Sequence, residues 1–528
     1  MPRTLTMVVA MMAAIGASAR SQESSDSGRS VVDTIIVITE NVFGSAEASG
    51  NALFRIANAI RFTTRTSVVR RELLFSVGEP YDSAKVAESE RNLRALGIFR
   101  DVVIDSSSVE GRLTVVVRTA DGWSTQLNLN GRFTGGTFTW AAGLAEQNFL
   151  GSATQVDVSY RKDVDRTAVR VSTRLRRAFG SRIAANGFYE TLSDGRRGGW
   201  AVGSPFRSFS DSRSLQLIGE RADQRVLRFV TRSPLDQDTI PFQRRAFFNR
   251  VDAAVAPIAT TGRYVRIGIS AQIKREDFLL QSDTGLAVPD TVTAAVGLFV
   301  EYGRANFKVV THYNGFAREE DLDLSTTVRV FGWIAPAAFG YERTGIGPRV
   351  TARTGVSLPF GFLRASLLAG GLFTSAGLDS GRVVVSMTLG SQFFNRQATF
   401  LNVQAGILER PAPGREFDLG HGIGPRSFGP HSLTGDRAVW GTFEHRVFLV
   451  DEFLGVLGIG AAGFVDYGGA WFDGLTEPQY GGNVGFGLRI GATRATGINV
   501  GRFDLGYRFG DGWSGNRWAF SLGRGLLF

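Results

Sequence analysis

From about Trp123 onward, apolar and polar residues alternate along the chain. Leu127 and Leu129 interleave with Gln126, Asn128 and Asn130, and Val156, Val158 and Tyr160 with Gln155, Asp157 and Ser159. Val169, Val171 and Leu175 interleave with Arg170, Ser172, Arg174 and Arg176, and Val265, Ile267, Ile269 and Ile273 with Arg266, Ser270, Gln272 and Lys274. A period of two assigns these sets to opposite faces of extended strands. A wholly apolar face opposite aligned arginines suits a strand with lipid on one side and a confined interior on the other. Most such segments approach the roughly 9–11 residues that a tilted membrane strand requires.

The last eleven residues carry the same signature. Trp518, Phe520, Leu522, Leu526 and Phe528 fall on one face, and Ala519, Ser521, Gly523 and Gly525 on the other. Gly523 and Gly525 weaken this strand, and Arg524 interrupts its apolar face. A charge there costs about 0–1 kcal/mol near a membrane interface and more at the midplane. A kinked, partly unpaired strand end is therefore expected close to that interface.

The pattern predicts a transmembrane antiparallel β-barrel over residues 123–528. Roughly 400 residues at some 25 per strand and loop give about 16 strands. All eight tryptophans lie in this region, a distribution that fits aromatic girdles at the two interfaces. After the N-terminus no run is long and apolar enough for a membrane helix, and Phe453–Val465 is broken by glycines.

The first part of the chain reads differently. Arg3, the apolar run Leu5–Ile15 and the small-residue box Ala17-Ser18-Ala19 predict a signal peptide over residues 1–19. Residues 20–31 are serine-rich and polar, a flexible leader. Residues 32–120 mix periods: the β-branched run TIIVI, helical spacing around Phe54–Phe62 and in Ser67–Phe75, and a turn at Gly78–Tyr81. A helix capped by Asp82 or Ser83 follows, with Val86, Leu93 and Leu96 on one side, Glu90 four residues before Arg94, and Gly97 as its stop. Phe99–Asp105 and Leu113–Val117 then form a hairpin. The order is strand, two helices, two strands, a small α+β unit.

Composition narrows the function. The net charge of +10 is almost wholly arginine, the lysines being Lys85, Lys162, Lys274 and Lys308. Those arginines sit on alternate strand positions, which places them in a lumen or on loops facing anionic lipopolysaccharide; nucleic-acid binding is not expected. Cysteine is absent, which removes disulfides, thiolate metal sites and cysteine nucleophiles. His312, His421, His431 and His445 show no metal-ligand spacing. Gly458–Gly463 spells a dinucleotide fingerprint but runs into a strand and opens no helix. Neither an enzyme nor a cofactor is expected.

The stretch VVRRELLFSVGEPYDSAKVAESERNLRALGIFRDVVI closely resembles a POTRA (polypeptide-transport-associated) domain, especially in ERNLRALGIFRDV. Such domains precede the barrel in the BamA/TamA-like family of outer-membrane assembly factors, or bacterial surface antigens. Two further motifs resemble that family. Gly424-Pro425-Arg426-Ser427-Phe428 lies in the turn-rich segment Gly414–Asp436 and carries Ser427 where the family has glycine. Phe464-Val465-Asp466-Tyr467-Gly468 matches an aromatic-x-Asp-x-Gly strand motif throughout. The resemblance implies a loop folded into the lumen with Arg426 paired to Asp466, Phe428 and Phe464 packed nearby, and Glu444 as a second acceptor. The serine leaves the tight turn in question, because glycine alone freely adopts positive φ.

The resemblance further implies insertion of proteins into the outer membrane, or their passage across it. A periplasmic POTRA strand would capture unfolded clients, and a lateral seam would lie between the first and last strands. Periplasmic or lipoprotein accessory subunits are conceivable partners beside lipid and lipopolysaccharide. The alternatives are a secretion pore dedicated to one partner and a passive channel or structural barrel with a periplasmic plug domain.

Overall fold

The computed structural model describes residues 30–524 apart from 60, 110–111, 135–136, 234–235, 281–290, 421–422 and 498–499. The expected signal peptide, the leader up to residue 29, and Gly525 to Phe528 lie outside the described residues.

The N-terminal domain runs through β1 (Val32–Glu40), α1 (Ser45–Gly50), α2 (Ala52–Ala59), α3 (Thr66–Arg70), α4 (Ser83–Arg94), β2 (Phe99–Val109) and β3 (Arg112–Asp121). The sheet order is β1–β3–β2, with β1 parallel and β2 antiparallel to β3. Asp82 caps α4 by accepting from the Ala84 and Lys85 amides, Arg94 pairs with Glu90 at 2.9 Å, and Gly97 takes φ +72° just past the helix. Val69, Phe75, Val86, Leu93 and Val115 form the core beneath the sheet. Two local expectations change. The first helical region is two short helices split at Gly50 and Asn51. The second stops at Arg70, with the Leu74 amide donating to Ser89 Oγ.

The rest of the chain closes into a barrel of twenty antiparallel strands, from Thr125–Thr134 to Trp518–Arg524, so the expected 16 is corrected. Turns are shorter than 25 residues per strand assumes: only two residues separate Leu358 from Gly361 and Thr374 from Gly377. Residues 213–304, where alternation is hard to segment, hold four long strands. Two small two-stranded sheets are not part of the wall and lie within the lumen. Phe307–Val310 pairs with Glu320–Asp323, and Phe417–Leu419 with Leu433–Gly435 inside the long loop 410–436.

The wall is inside-out compared with a water-soluble protein. Leu127, Leu129, Val169, Val171, Ile267 and Ile269 are exposed on the outer surface, whereas Gln126, Arg266 and Ser270 are buried on the inner one. Such an extended apolar exterior is stable only against lipid. Two tryptophans depart from the expected girdles. Trp440 turns inward onto Phe417, and Trp333 packs with Ala335 and Leu372 inside the wall. A glycine admits the Trp333 ring, since a Cβ at Gly347 would lie 2.0 Å from it, whereas a Cβ at Gly468 would meet the Trp440 Cβ at 2.6 Å.

The N-terminal domain is docked on one end of the barrel. Arg94 donates twice to Asp321 (2.6 and 2.8 Å), Arg177 to Glu72 (2.6 Å) and Arg494 to Glu47 (2.9 Å). Arg318 reaches across to the Phe99 carbonyl. A cleft of about 450 Å³ remains between α4, β2 and the loop carrying Phe307 and Arg318.

Candidate functional site

The long loop folds back into the barrel and presents Arg426 to the inner wall. The strand Leu457–Trp471 alternates, so Phe464, Asp466 and Gly468 share its inward face. Arg426 grips Asp466 with both arms of its fork, Nε to Oδ2 at 2.8 Å and Nη2 to Oδ1 at 3.1 Å, and its own amide donates to Oδ2 at 3.1 Å. Nη1 donates to Glu444 Oε2 at 2.8 Å and lies 3.4 Å from Asp504 Oδ2. The guanidinium carbon sits 3.8 Å from the centre of the Phe464 ring. Arg426 is 2% exposed, so these groups face one another without bulk water. Charge-assisted, bidentate contacts of this kind are directional as well as strong.

The surrounding charges are themselves paired. Arg446 donates to Glu444 at 2.6 Å, and Arg489 to Asp504 at 2.6 Å. Asn483 joins loop and wall, donating to Asp466 Oδ2 (2.9 Å) while its Oδ1 accepts from the Ser427 amide (3.2 Å). Phe428 is fully buried, and it fits because a Cβ at Gly481 would lie 2.6 Å from its ring. Within Gly424–Phe428 the left-handed residue is Gly424, at φ +80°, while Ser427 lies outside that region. A serine is thus compatible with the turn, and its hydroxyl occupies space that a Cβ on Gly506 would enter at 2.1 Å.

Two contacts hold the loop elsewhere. Arg132, on the first barrel strand, donates to the Gly420 carbonyl and, at 3.5 Å, to that of Phe428. His431 Nδ1 pairs with Asp418 at 2.7 Å and Nε2 with Asp165, in the turn between two early strands, at 3.1 Å. Burial alone would lower the His431 pKa, but hydrogen bonds to Asp165 and Asp418 and their charges outweigh it and push it up to about 10.

The barrel closes where the last strand meets the first, among the described residues over three pairs: Phe520 with Phe133, Ser521 with Arg132, and Leu522 with Gly131. The first strand makes ten pairs with its other neighbour, and the last strand seven. Asn130 and Leu129, which face Gly523 and Arg524 in this register, are unpaired on the seam side. The last strand stays in register with its predecessor through Gly501–Arg524, so it shows no kink before Arg524. Arg524 does not stand free on the outer face. It reaches the Gln126 side-chain oxygen across the unpaired stretch. Gly523 faces inward, with the Arg502 guanidinium 2.8 Å from where a Cβ would be. Gly525 and Phe528 lie outside the described residues.

Sequence reasoning identified Arg426, Phe428, Phe464, Asp466, Gly468 and Glu444 and missed Arg132, Asn483, Arg489, Asp504 and Gly506. Asp504 and Arg489 were detectable as inward charges on alternating strands. Arg132 and Gly506 were not, because their partners lie far away in the chain.

Residues 58–120 match the POTRA family, described as surface antigen variable number repeat. The outer membrane protein assembly factor BamA of Neorickettsia risticii (strain Illinois) is 28% identical over 139 residues, 26% of this chain and 19% of that protein. The match thus spans about a fifth of that relative's length. Among solved structures, CdiB from Escherichia coli aligns with TM-score 0.48 and 11% identity, covering 97% of this chain and 93% of that one. BamA from Haemophilus ducreyi lacking POTRA domains 1–3 aligns with TM-score 0.39 and 10% identity, covering 94% and 85%. A POTRA domain followed by a closed outer-membrane β-barrel defines the class of this protein. Within that class, the chain is similar to BamA in sequence over that stretch and carries the POTRA match at residues 58–120.

Proposed function

We propose that this protein inserts client proteins into the outer membrane or passes them across it, opening sideways at the seam. The observation that carries this reading is that, among the described residues, Trp518–Arg524 makes seven pairs with its predecessor but only three with the first strand. Each strand pair is held by its ladder of main-chain bonds, so the shortest ladder separates first. Its exposed edge can then template an incoming strand. The pinned loop complements it. Arg426 fixes the loop to the wall before the seam and Arg132 ties it to the strand after it, so the loop spans the closure from within.

In this reading the POTRA domain faces the periplasm. Its outer strands β1 and β2 each have a free edge among the described residues, where an extended client segment could add. Periplasmic or lipoprotein subunits could join there, and lipid and lipopolysaccharide surround the wall. The buried charges act as a clamp, and no catalytic chemistry is assigned to them. The second reading, a pore dedicated to one partner, draws support from the twenty-strand circumference, since barrel diameter grows with strand number.

The absence of cysteine permits a clean test. Leu522→Cys with Gly131→Cys places two thiols on one register pair across the seam. Oxidation should abolish client insertion in reconstituted vesicles, and reduction should restore it. Full activity with the seam cross-linked would refute lateral opening. Depletion in cells separates the two readings: loss of many outer-membrane proteins supports insertion, and loss of one favours the dedicated pore.

A further inference from the structure

We propose that the inner wall over residues 345–391 lines an aqueous path that selects small anions, a property independent of whether clients are assembled. The sector comprises the neighbouring strands Gly345–Leu358, Gly361–Thr374 and Gly377–Ser391. Register sets which side chains share the lumen. Arg349 pairs with Gly370, which pairs in turn with Arg382; Arg353 pairs with Ser366, and Arg364 with Gly355. Pairing partners project to the same face, so Arg349, Arg353, Arg364 and Arg382 all point inward. Outward positions between them, Ile346 and Met387 for example, are exposed apolar side chains.

No inward position of these three strands is acidic. Their one carboxylate, Asp379, stands beyond the bulge after Gly370 and accepts from the Tyr341 hydroxyl. Of the four arginines, Arg353 is answered by Asp323 at 2.9 Å. Arg349, Arg364 and Arg382 have no ion-pair partner among the described residues. Elsewhere in the lumen several arginines are neutralised, Arg244 by Glu276, Arg426 by Asp466 and Glu444 and Arg489 by Asp504, while Arg132 and Arg508 bond to backbone carbonyls. The inner face of these three strands therefore carries net positive charge.

Water reaches this sector. Arg349, Arg353 and Arg382 are exposed although they face the interior. The long loop is tied further round the wall, by Asp466, Asn483 and Arg132, and touches this sector through the Phe417 cluster at Val384. The spacing makes a staircase. Arg349 and Arg382 stand two strands apart, Arg353 lies about 13 Å further along its strand, and Arg364 about one pleat beyond. Thr351 and the hydrogen-bonded pair Ser366 and Ser386 (2.7 Å) supply hydroxyls between them. Guanidinium groups stay charged at any physiological pH, and like charges lining a low-dielectric wall raise the local concentration of counter-ions. Basic rings of this type favour anions such as chloride, phosphate and small carboxylates.

The test is a reversal potential across a planar bilayer holding the full chain under a tenfold KCl gradient. Chloride preference is expected. Arg349→Glu, Arg364→Glu and Arg382→Glu together should reverse its sign, and the Gln versions should bring it near zero. The Gln set covers the case in which the acidic set does not fold. Potassium preference in the unaltered protein, or a potential unmoved by either set, overturns the proposal. If no current flows because the docked domain covers the mouth, Arg94→Ala with Arg318→Ala should release it; silence there overturns the proposal too.

Discussion

Arg426 lies over the face of Phe464 while its fork holds Asp466, two residues further along the same strand. One strand face thus supplies both the carboxylate and the ring, and the alternation of the barrel wall spaces them for a single guanidinium. Lysine retains the charge but not the planar fork or the stacking. Arg426→Ala should destabilise the folded barrel by about 3–5 kcal/mol, the cost of stranding buried carboxylates. Arg426→Lys should recover only part of this. Thermal unfolding in detergent, with proteolysis of loop 410–436 as the local readout, measures both. Equal stability of all three proteins would show that the pair does not hold the loop.

Arg132 carries the connection across the seam. It belongs to one of the three closing pairs, and its side chain binds loop carbonyls. Arg132→Ala leaves the main-chain pairing intact but frees the loop from the first strand. Amides of Gly131 to Phe133 should then exchange hydrogen faster, with little change at the pairing between the first strand and Thr137–Phe149. Unaltered exchange at the seam would mean that the loop contributes nothing to closure.

The His431 contact gives a pH dependence of known sign. Its imidazole, ordinarily near 6.5, is held charged up to about 10 by Asp418 and Asp165, with Arg166 and Arg225 beside the latter. The stabilisation is complete below about 6.5, shrinks as pH rises and disappears above about 10. Cleavage of the loop by a protease active across this range should quicken as pH approaches 10. His431→Ala should cleave quickly throughout and lose the dependence. A wild-type rate flat from 6.5 to 10.5 would discount this tether.

Much of this architecture was legible because period-two alternation and helical spacing are local. The inward set of Val169–Arg176 and the cap of α4 at Asp82 needed no tertiary information. The strand number was not, because two-residue turns such as the one after Leu358 leave little signal between neighbouring alternations. The site divides similarly. Arg426, Asp466 and Glu444 lie in segments with recognisable motifs, whereas Arg132 and Asn483 acquire their roles only when the barrel closes. Trp440 and Trp333 show the limit of reading tryptophan as a membrane marker: both turn inside the wall, and Gly347 makes room for the Trp333 ring.

Ser427 and Gly506 form a complementary pair that a double-mutant cycle can resolve. The Ser427 hydroxyl occupies the place of a Gly506 Cβ, which would lie 2.1 Å from it on a strand fixed by pairing on both sides. Neither partner can yield easily, because the Ser427 amide is held by Asn483 and Arg426 is held by Asp466. Gly506→Ala should therefore cost about 1–3 kcal/mol by overpacking. Ser427→Gly alone removes one small hydroxyl and should cost less. The combined variant should be more stable than Gly506→Ala alone, with a coupling of about 1 kcal/mol or more, since residues in contact are not additive. Additive losses would mean that the loop and the strand Val500–Gly510 do not touch here, and the serine would then need another explanation.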